Sequence, residues 1–230
     1  MSDQVLEVIQ AGRVPYGDAL EWQRRLAHER IAGRLPHDVL LLLEHPPVIT
    51  LGRTSQAEHV LAADDGVEVF EIERGGDVTY HGPGQLVGYP ILDLTSYRQD
   101  LHWYLRTLEQ ALIDALARLG IPAERKPGYT GVWTAQGARK IASIGVHVKQ
   151  WVTWHGFALN VTTDLAAFGR IVPCGIAGVE MTSIEKEREA LKDSLTVAGS
   201  GELWDETIVA VTHGFETAFG VVARAASPVP

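Results

Sequence analysis

Cysteine is nearly missing from this chain: Cys174 is the only one in 230 residues. A lone thiol forms no internal disulfide, and it supplies too few sulfur ligands for a cysteine-based structural zinc site. Long apolar runs are missing as well. None approaches the ~18 residues that a membrane-spanning helix needs; Val39 to Leu43 stops at Glu44-His45-Pro46-Pro47. The opening Met1-Ser2-Asp3-Gln4 carries neither the basic nor the apolar region of a secretory signal. Positive charge is scarce, with 20 Lys and Arg against 29 Asp and Glu for a formal net charge of −9. That balance argues against a broad basic nucleic-acid footprint, though it leaves room for local basic patches. The expectation is a cytoplasmic protein with neither nucleic acid nor a membrane as partner. Repeats, low-complexity tracts and charge blocks are lacking too, so no linker is placed and 1–230 is expected to be one domain. What is present suits a real core: 46% hydrophobic against 21% charged residues.

Periodicity predicts three helices. Tyr16, Leu20, Ala27 and Ile31 share one face of a helix ending near Gly33. Leu101, Tyr104, Leu105, Leu108, Leu112, Leu116 and Leu119 form a longer stripe, closed by Gly120 and Pro122. Trp204, Ile208, Val211, Phe215 and Phe219 form a third, stopped by Gly220. Each stripe is read as core packing, since an amphipathic helix must bury its apolar face. Strands are predicted at Val39 to Leu43, Val48 to Leu51, Val67 to Glu73, Leu86 to Leu92, Lys140 to Val148 and Phe157 to Val161. Strands outnumber helices and often follow one another directly. That pattern predicts an α/β domain with a mixed, largely antiparallel sheet and helices packed on one side of it.

Three segments carry candidate chemistry. Arg74-Gly75-Gly76-Asp77-Val78-Thr79-Tyr80-His81-Gly82-Pro83-Gly84-Gln85 is glycine-rich yet lies between strands. Glycine allows close backbone approach to a ligand, and an ordinary turn has no use for Arg74, Thr79 and His81. The segment matches neither a phosphate-binding loop nor a dinucleotide fingerprint. Cys174 stands in Val172-Pro173-Cys174-Gly175-Ile176, where proline fixes the backbone and glycine clears space beside the sulfur. The bland reading of a lone cysteine is a small buried hydrophobe. A nucleophilic one needs a cation or base nearby, and Lys140, His81, His147 and His155 are the candidates. Lys140 opens an apolar run, and Gly145 inside that run permits close approach of a ligand or backbone.

The ordered motifs resemble those of the lipoyl(octanoyl) transferases, the octanoyl-acyl-carrier-protein:protein transferases of lipoate biosynthesis. The matching pieces are Tyr16 to Gln23, Leu43 to Arg53, Arg74 to Pro90, Gly131-Val132-Trp133, Lys140 to Val146, His155 to Asn160 and Pro173-Cys174-Gly175. They fall in order over residues 14–185, and nothing beyond Glu185 is diagnostic. The resemblance implies the fold of the biotin and lipoate protein ligases and one catalytic domain, 1–230. It implies that Cys174 forms an acyl thioester and that Lys140 lowers its pKa. Substrate contacts would come from Arg74, Gly75, Gly76, Asp77, Val78, Thr79, Tyr80 and His81, from Ser143, Ile144 and Gly145, and from Gly156, Phe157 and Ala158. No cofactor or metal is implied. The implied donor is acyl carrier protein. The implied acceptors are lipoyl domains of 2-oxoacid dehydrogenase E2 subunits and the glycine cleavage H protein.

That chemistry is coherent. Thiolate attack on a thioester is a nearly balanced exchange that needs no ATP, and aminolysis to an amide then drives the sequence forward. Backbone N–H groups near Gly175 or Gly145 are the oxyanion-donor candidates. A donor protein that is itself acidic calls for a local basic rim, with Arg53, Lys126, Arg139 and Lys149 as candidates. Three other functions are weighed beside this one. They are an ATP-dependent lipoate or biotin protein ligase, a cysteine hydrolase pairing Cys174 with a histidine, and a lipoyl-domain binding module without catalysis.

Overall fold

The computed structural model describes residues 4–61, 66–176, 178–191 and 200–227, apart from the side chains of Cys174 and Ser200. The chain begins with β1 (Gln4–Arg13), α1 (Tyr16–Ile31), β2 (Asp38–Glu44) and β3 (Val48–Leu51). Next come β4 (Glu68–Glu71), β5 (Thr79–His81), β6 (Gln85–Ile91) and α2 (Leu101–Arg118). Then follow β7 (Val132–Thr134), β8 (Arg139–Lys149), β9 (Val152–Asn160) and β10 (Glu180–Met181). The last elements are α3 (Ile184–Ala190), α4 (Ser200–Phe219) and β11 (Val221–Ala226).

An eight-stranded sheet runs in the order β10-β8-β9-β6-β2-β1-β11, with β7 paired to β8. Its centre is antiparallel (β2 with β6, β6 with β9, β8 with β9), and β7 joins β8 the same way. Parallel pairs close both flanks, β10 on β8 at one side and β2-β1-β11 at the other. A smaller three-stranded sheet, β4-β3-β5, stands apart from it.

The helices cover both faces of the large sheet rather than one. Along β2, Leu40 and Leu42 pack with α2 and α4 residues such as Leu108, Leu112, Val211 and Phe215. Val39, Leu41 and Leu43 pack with Ala19, Leu26 and Ala27 of α1 on the opposite face. An unbroken apolar strand requires exactly that double cover, because successive side chains point to opposite faces. Each buried leucine on such a strand contributes about 1.5–3 kcal/mol. The helix ends follow local chemistry: Asp100 caps α2 by accepting from Trp103 N–H at 3.0 Å. Five strands escape the sequence reading, the short β5, β7 and β10 and the longer β1 and β11; the last two are the most telling. They pair with each other in parallel across nearly the whole chain length, and neither has the clean alternation that identifies a strand by itself.

Among the described residues, no helix is long and apolar enough to cross a membrane. The same residues contain no group of three or more His, Cys, Asp or Glu placed to hold a metal ion.

Candidate active site

A cavity of about 520 Å³ opens between the two sheets, within the ~300–1,000 Å³ usual for small-ligand sites. Its large-sheet wall is Val87 and Tyr89 from β6, Lys140, Ser143, Ile144 and Gly145 from β8, and His155 to Ala158 from β9. Its other wall is Arg74, Gly76 and Asp77, then Thr79 and His81 of β5. Gly175 and Ile176 close one side, with His59, Tyr129 and Thr130.

The glycine-rich segment reaches the cavity by strand alternation. Thr79 and His81 line it, whereas Val78 and Tyr80 point away and pack with Ile49, Phe168 and Ile171. Gly75 is not part of the lining. It donates its N–H to Val146 O at 2.9 Å, and its carbonyl lies 2.8 Å from where a Gly145 Cβ would stand. So the close approach predicted at Gly145 is made by backbone. Arg74 is held against β3, donating to Thr50 O at 2.7 Å and to Thr50 Oγ1 at 2.9 Å. Of the residues predicted from sequence, the cavity gathers Arg74, Gly76, Asp77, Thr79, His81, Lys140, Ser143, Ile144, Gly145, Gly156, Phe157 and Ala158.

Lys140 is 1% exposed. A β-bulge aims it: Val132 pairs with Ala142 and Trp133 with Lys140, so one step on β7 spans two on β8. In an unbroken strand Lys140 and Ser143 would face opposite sides; the extra residue turns both toward the cavity. The aliphatic stem fits because position 131 is glycine. At φ +129°, a Cβ there would lie 2.7 Å from Ala142 O and 2.8 Å from Lys140 Cε. Gly131 is fixed in turn by Glu109, fully buried on α2, which accepts the Gly131 N–H at 3.1 Å and ion-pairs with Arg106 and Arg125. The Trp133 ring lies under the Lys140 ammonium, 5.4 Å from Nζ to centroid, and under Lys126 at 4.4 Å. An aromatic face attracts a cation through the negative potential of its ring.

Cys174 sits in the middle of a single 3-10 turn, Pro173–Gly175. Its side chain lies outside the described part of the structure. Of the two oxyanion-donor candidates, the Gly175 N–H is already engaged, donating to Val172 O at 3.0 Å.

The histidines divide. His147 lies off the cavity, against Arg53 and the Trp154 ring. His81 and His155 line it, but both are buried. Burial pushes the His81 pKa down to about 3, with His45 adding repulsion, and burial also lowers His155. Both rings are therefore neutral near pH 7, and neither supplies the positive charge a thiolate needs. They belong to a polar wall: His81 shares a 2.7 Å hydrogen bond with Gln85, and Tyr16 stacks on its ring.

Sequence reasoning missed several lining residues. Tyr16 and Tyr89 fall inside matched motifs but are tyrosines of helix- and strand-like runs, where core packing is the simpler expectation. His59 falls in no motif, and nothing in its local sequence marks it.

The basic rim does not form as expected. Arg139 is committed to Glu187 through two hydrogen bonds of 2.8 and 2.9 Å. Lys149 stands at the far end of β8 from Lys140, about 30 Å away along the strand. Arg53 and Lys126 do not line the cavity, though Thr54 and Gly128, one and two positions along the chain from them, do.

Comparison with known proteins adds a family. Residues 15–199 match the model of the lipoyl protein ligase A/B catalytic domain. An octanoyltransferase of Gloeobacter violaceus is 64% identical over 169 residues, covering 74% of this chain and 75% of its own. One of Acidobacterium capsulatum is 52% identical over 199 residues, 80% of each. Among solved structures, a lipoate-protein ligase A bound with ATP superposes with TM-score 0.70 at 18% identity, over 100% of this chain and 90% of that one. A bi-partite lipoate protein ligase from Thermoplasma acidophilum gives 0.68 at 18%, over 100% and 88%. At such low identity these two establish the fold alone, and it is that of lipoate protein ligases.

Proposed function

The chain belongs to the lipoyl protein ligase A/B catalytic-domain family, and from that premise we propose that it transfers an octanoyl group from acyl carrier protein to a lysine of lipoyl domains through a Cys174 thioester. The observation that carries the proposal is the cavity itself. One cavity is lined by the buried Lys140, by small or apolar residues of β8 and β9, and by Gly175 of the Pro-Cys-Gly turn.

In the first half-reaction the Cys174 thiolate attacks the donor thioester carbon, and the carrier thiolate leaves. Lys140 as ammonium stabilises the attacking thiolate and then protonates the departing one. In the second, the acceptor lysine amine attacks the acyl-enzyme, and the Cys174 thiolate leaves as the amide forms. The small or apolar lining residues Gly76, Ala158 and Val87 leave room for the chain, and each methylene buried there is worth about 0.8 kcal/mol. Arg53 and Lys126, close in sequence to the lining residues Thr54 and Gly128, supply the positive charge an acidic donor protein would meet. The acceptors are the lipoyl domains of 2-oxoacid dehydrogenases and the glycine cleavage H protein, and the setting is the cytoplasm.

Intact-mass measurement tests this directly. The protein is mixed with octanoyl carrier protein in the absence of ATP, and apo lipoyl domain is then added. The expected result is one octanoyl adduct, absent in Cys174→Ser, that moves to the lipoyl domain. No adduct without ATP, with octanoylation restored by ATP, would replace the proposal with an ATP-dependent ligase.

A further inference from the structure

The proton balance of the proposed reaction exceeds what Lys140 can handle. A thioester and an alkylammonium give an amide, a thiol and one free proton. The acceptor lysine enters as ammonium, because its ordinary pKa is near 10.4, and it must lose two protons to become an amide N–H. Lys140, having given its proton to the carrier thiolate, takes back one. The second proton must reach solvent, and a base at the cavity that touches both the adduct and water would carry it there.

The geometry points to His59, oriented by Asp77, as that base. His59 Nδ1 lies 2.6 Å from Asp77 Oδ2, and both residues line the cavity. A carboxylate can only accept, so Nδ1 donates in this contact, and in the neutral ring that leaves the lone pair on Nε2. Asp77 is itself fixed, its Oδ1 accepting the Val78 N–H at 2.7 Å. The pair presses on the residue after the proposed nucleophile: a Cβ at Gly175 would collide with Asp77 Oδ2 and stand 3.1 Å from His59 Cε1. Gly175, at φ +66°, is the residue type that both the conformation and this contact require.

The approach is held by backbone. His59 O accepts the Val172 N–H at 2.9 Å, Leu61 N–H donates to Arg170 O at 2.8 Å, and Val60 bridges Ile171. The strand-like segment leading into Pro173-Cys174-Gly175 is thus stitched to the segment carrying His59. Unlike His81 and His155, His59 retains 19% of its side-chain exposure, so a proton taken from the amine can pass on to water. In the step assigned to it, Nε2 accepts the N–H proton of the tetrahedral adduct as the C–N bond is retained and the C–S bond breaks. The base then returns to neutrality by releasing that proton to solvent.

This inference rests on the acyl-enzyme reading, and the test separates the two. Loading of the wild-type enzyme and of His59→Gln by octanoyl carrier protein is timed by intact mass; discharge of the isolated adduct by apo lipoyl domain is timed separately. Glutamine still donates an N–H toward Asp77 but offers no base. Expected is discharge slowed about 100-fold, at the lower end of general-base contributions, with loading slowed less than about threefold. In His59→Ala, added imidazole is expected to recover discharge about tenfold without changing loading. Discharge at the wild-type rate, equal slowing of both steps, or no response to imidazole would overturn the assignment. Failure of the wild-type enzyme to load would instead overturn the acyl-enzyme reading, and this inference with it.

Discussion

Gly131→Ala is the sharpest perturbation of the lysine socket, because its consequences can be worked out before any measurement. The new methyl group meets two fixed neighbours, Ala142 O at 2.7 Å and Lys140 Cε at 2.8 Å. Neither can retreat easily: Ala142 is in the β8–β9 ladder, and the lysine stem is fully buried. Holding alanine at φ +129° costs about 1–3 kcal/mol, and overfilling a packed site costs about 1–3 more. The sum is about 2–6 kcal/mol, which for a chain of this size lowers Tm by roughly 4–24 °C. The kinetic effect follows from displacement of the ammonium, since a shift of about 1 Å in a reacting group costs about 100-fold. Calorimetry and the mass-detected loading assay read the two effects on the same sample. Gly120→Ala serves as control, with φ +77° but nothing within 4 Å; it should lose about 1 kcal/mol and load normally. A folded Gly131→Ala enzyme that loads at the wild-type rate would refute the claim that the Lys140 position sets that rate.

Three further outcomes follow from the geometry. Burial holds His45 at about 4 and His81 at about 3, below the ordinary 6.5. The unfolded chain therefore binds more protons between those values, and stability is full above pH 6.5 and lost as the pH falls toward 3. Each ring contributes up to about 1.4 kcal/mol per pH unit in that window; urea midpoints that stay flat from pH 6.5 to 4.5 would contradict it. Glu109→Gln removes the buried carboxylate that Arg106, Arg125 and Gly131 N–H share. Both arginines are about one-third exposed, so the loss is about 2–3 kcal/mol rather than the 3–5 of a fully buried pair, read by chemical denaturation. Arg53→Glu should weaken the carrier protein's apparent affinity and flatten its salt dependence, whereas Lys149→Glu, at the far end of β8, should change neither.

The sequence by itself determined the parts whose causes are local. Helices α1, α2 and α4 follow from apolar stripes of period 3.6, and most strands follow from alternation and their turn residues. The cavity wall of Arg74 to His81 was visible because glycines and hydrogen-bonding side chains are unusual together, and the ordered motifs identified the family. Helices on both sheet faces were not visible, because a continuous apolar run in β2 shows burial but not what covers it. Strands β1 and β11 pair with each other across the whole chain, a partnership no short window contains. Tertiary structure alone decided the aim of Lys140, since a one-residue bulge against β7 sets which side of β8 it faces. It also decided which of Arg74 to His81 line the cavity, sending Thr79 and His81 inward and Val78 and Tyr80 into a separate core. And it brought His59 to the turn that contains Cys174, more than a hundred positions along the chain, by pairing backbone that carries no sequence signature. Chemistry was legible where it depends on residue type. It was illegible where it depends on which residues meet, because contact is made by the whole sheet and not by any segment of it.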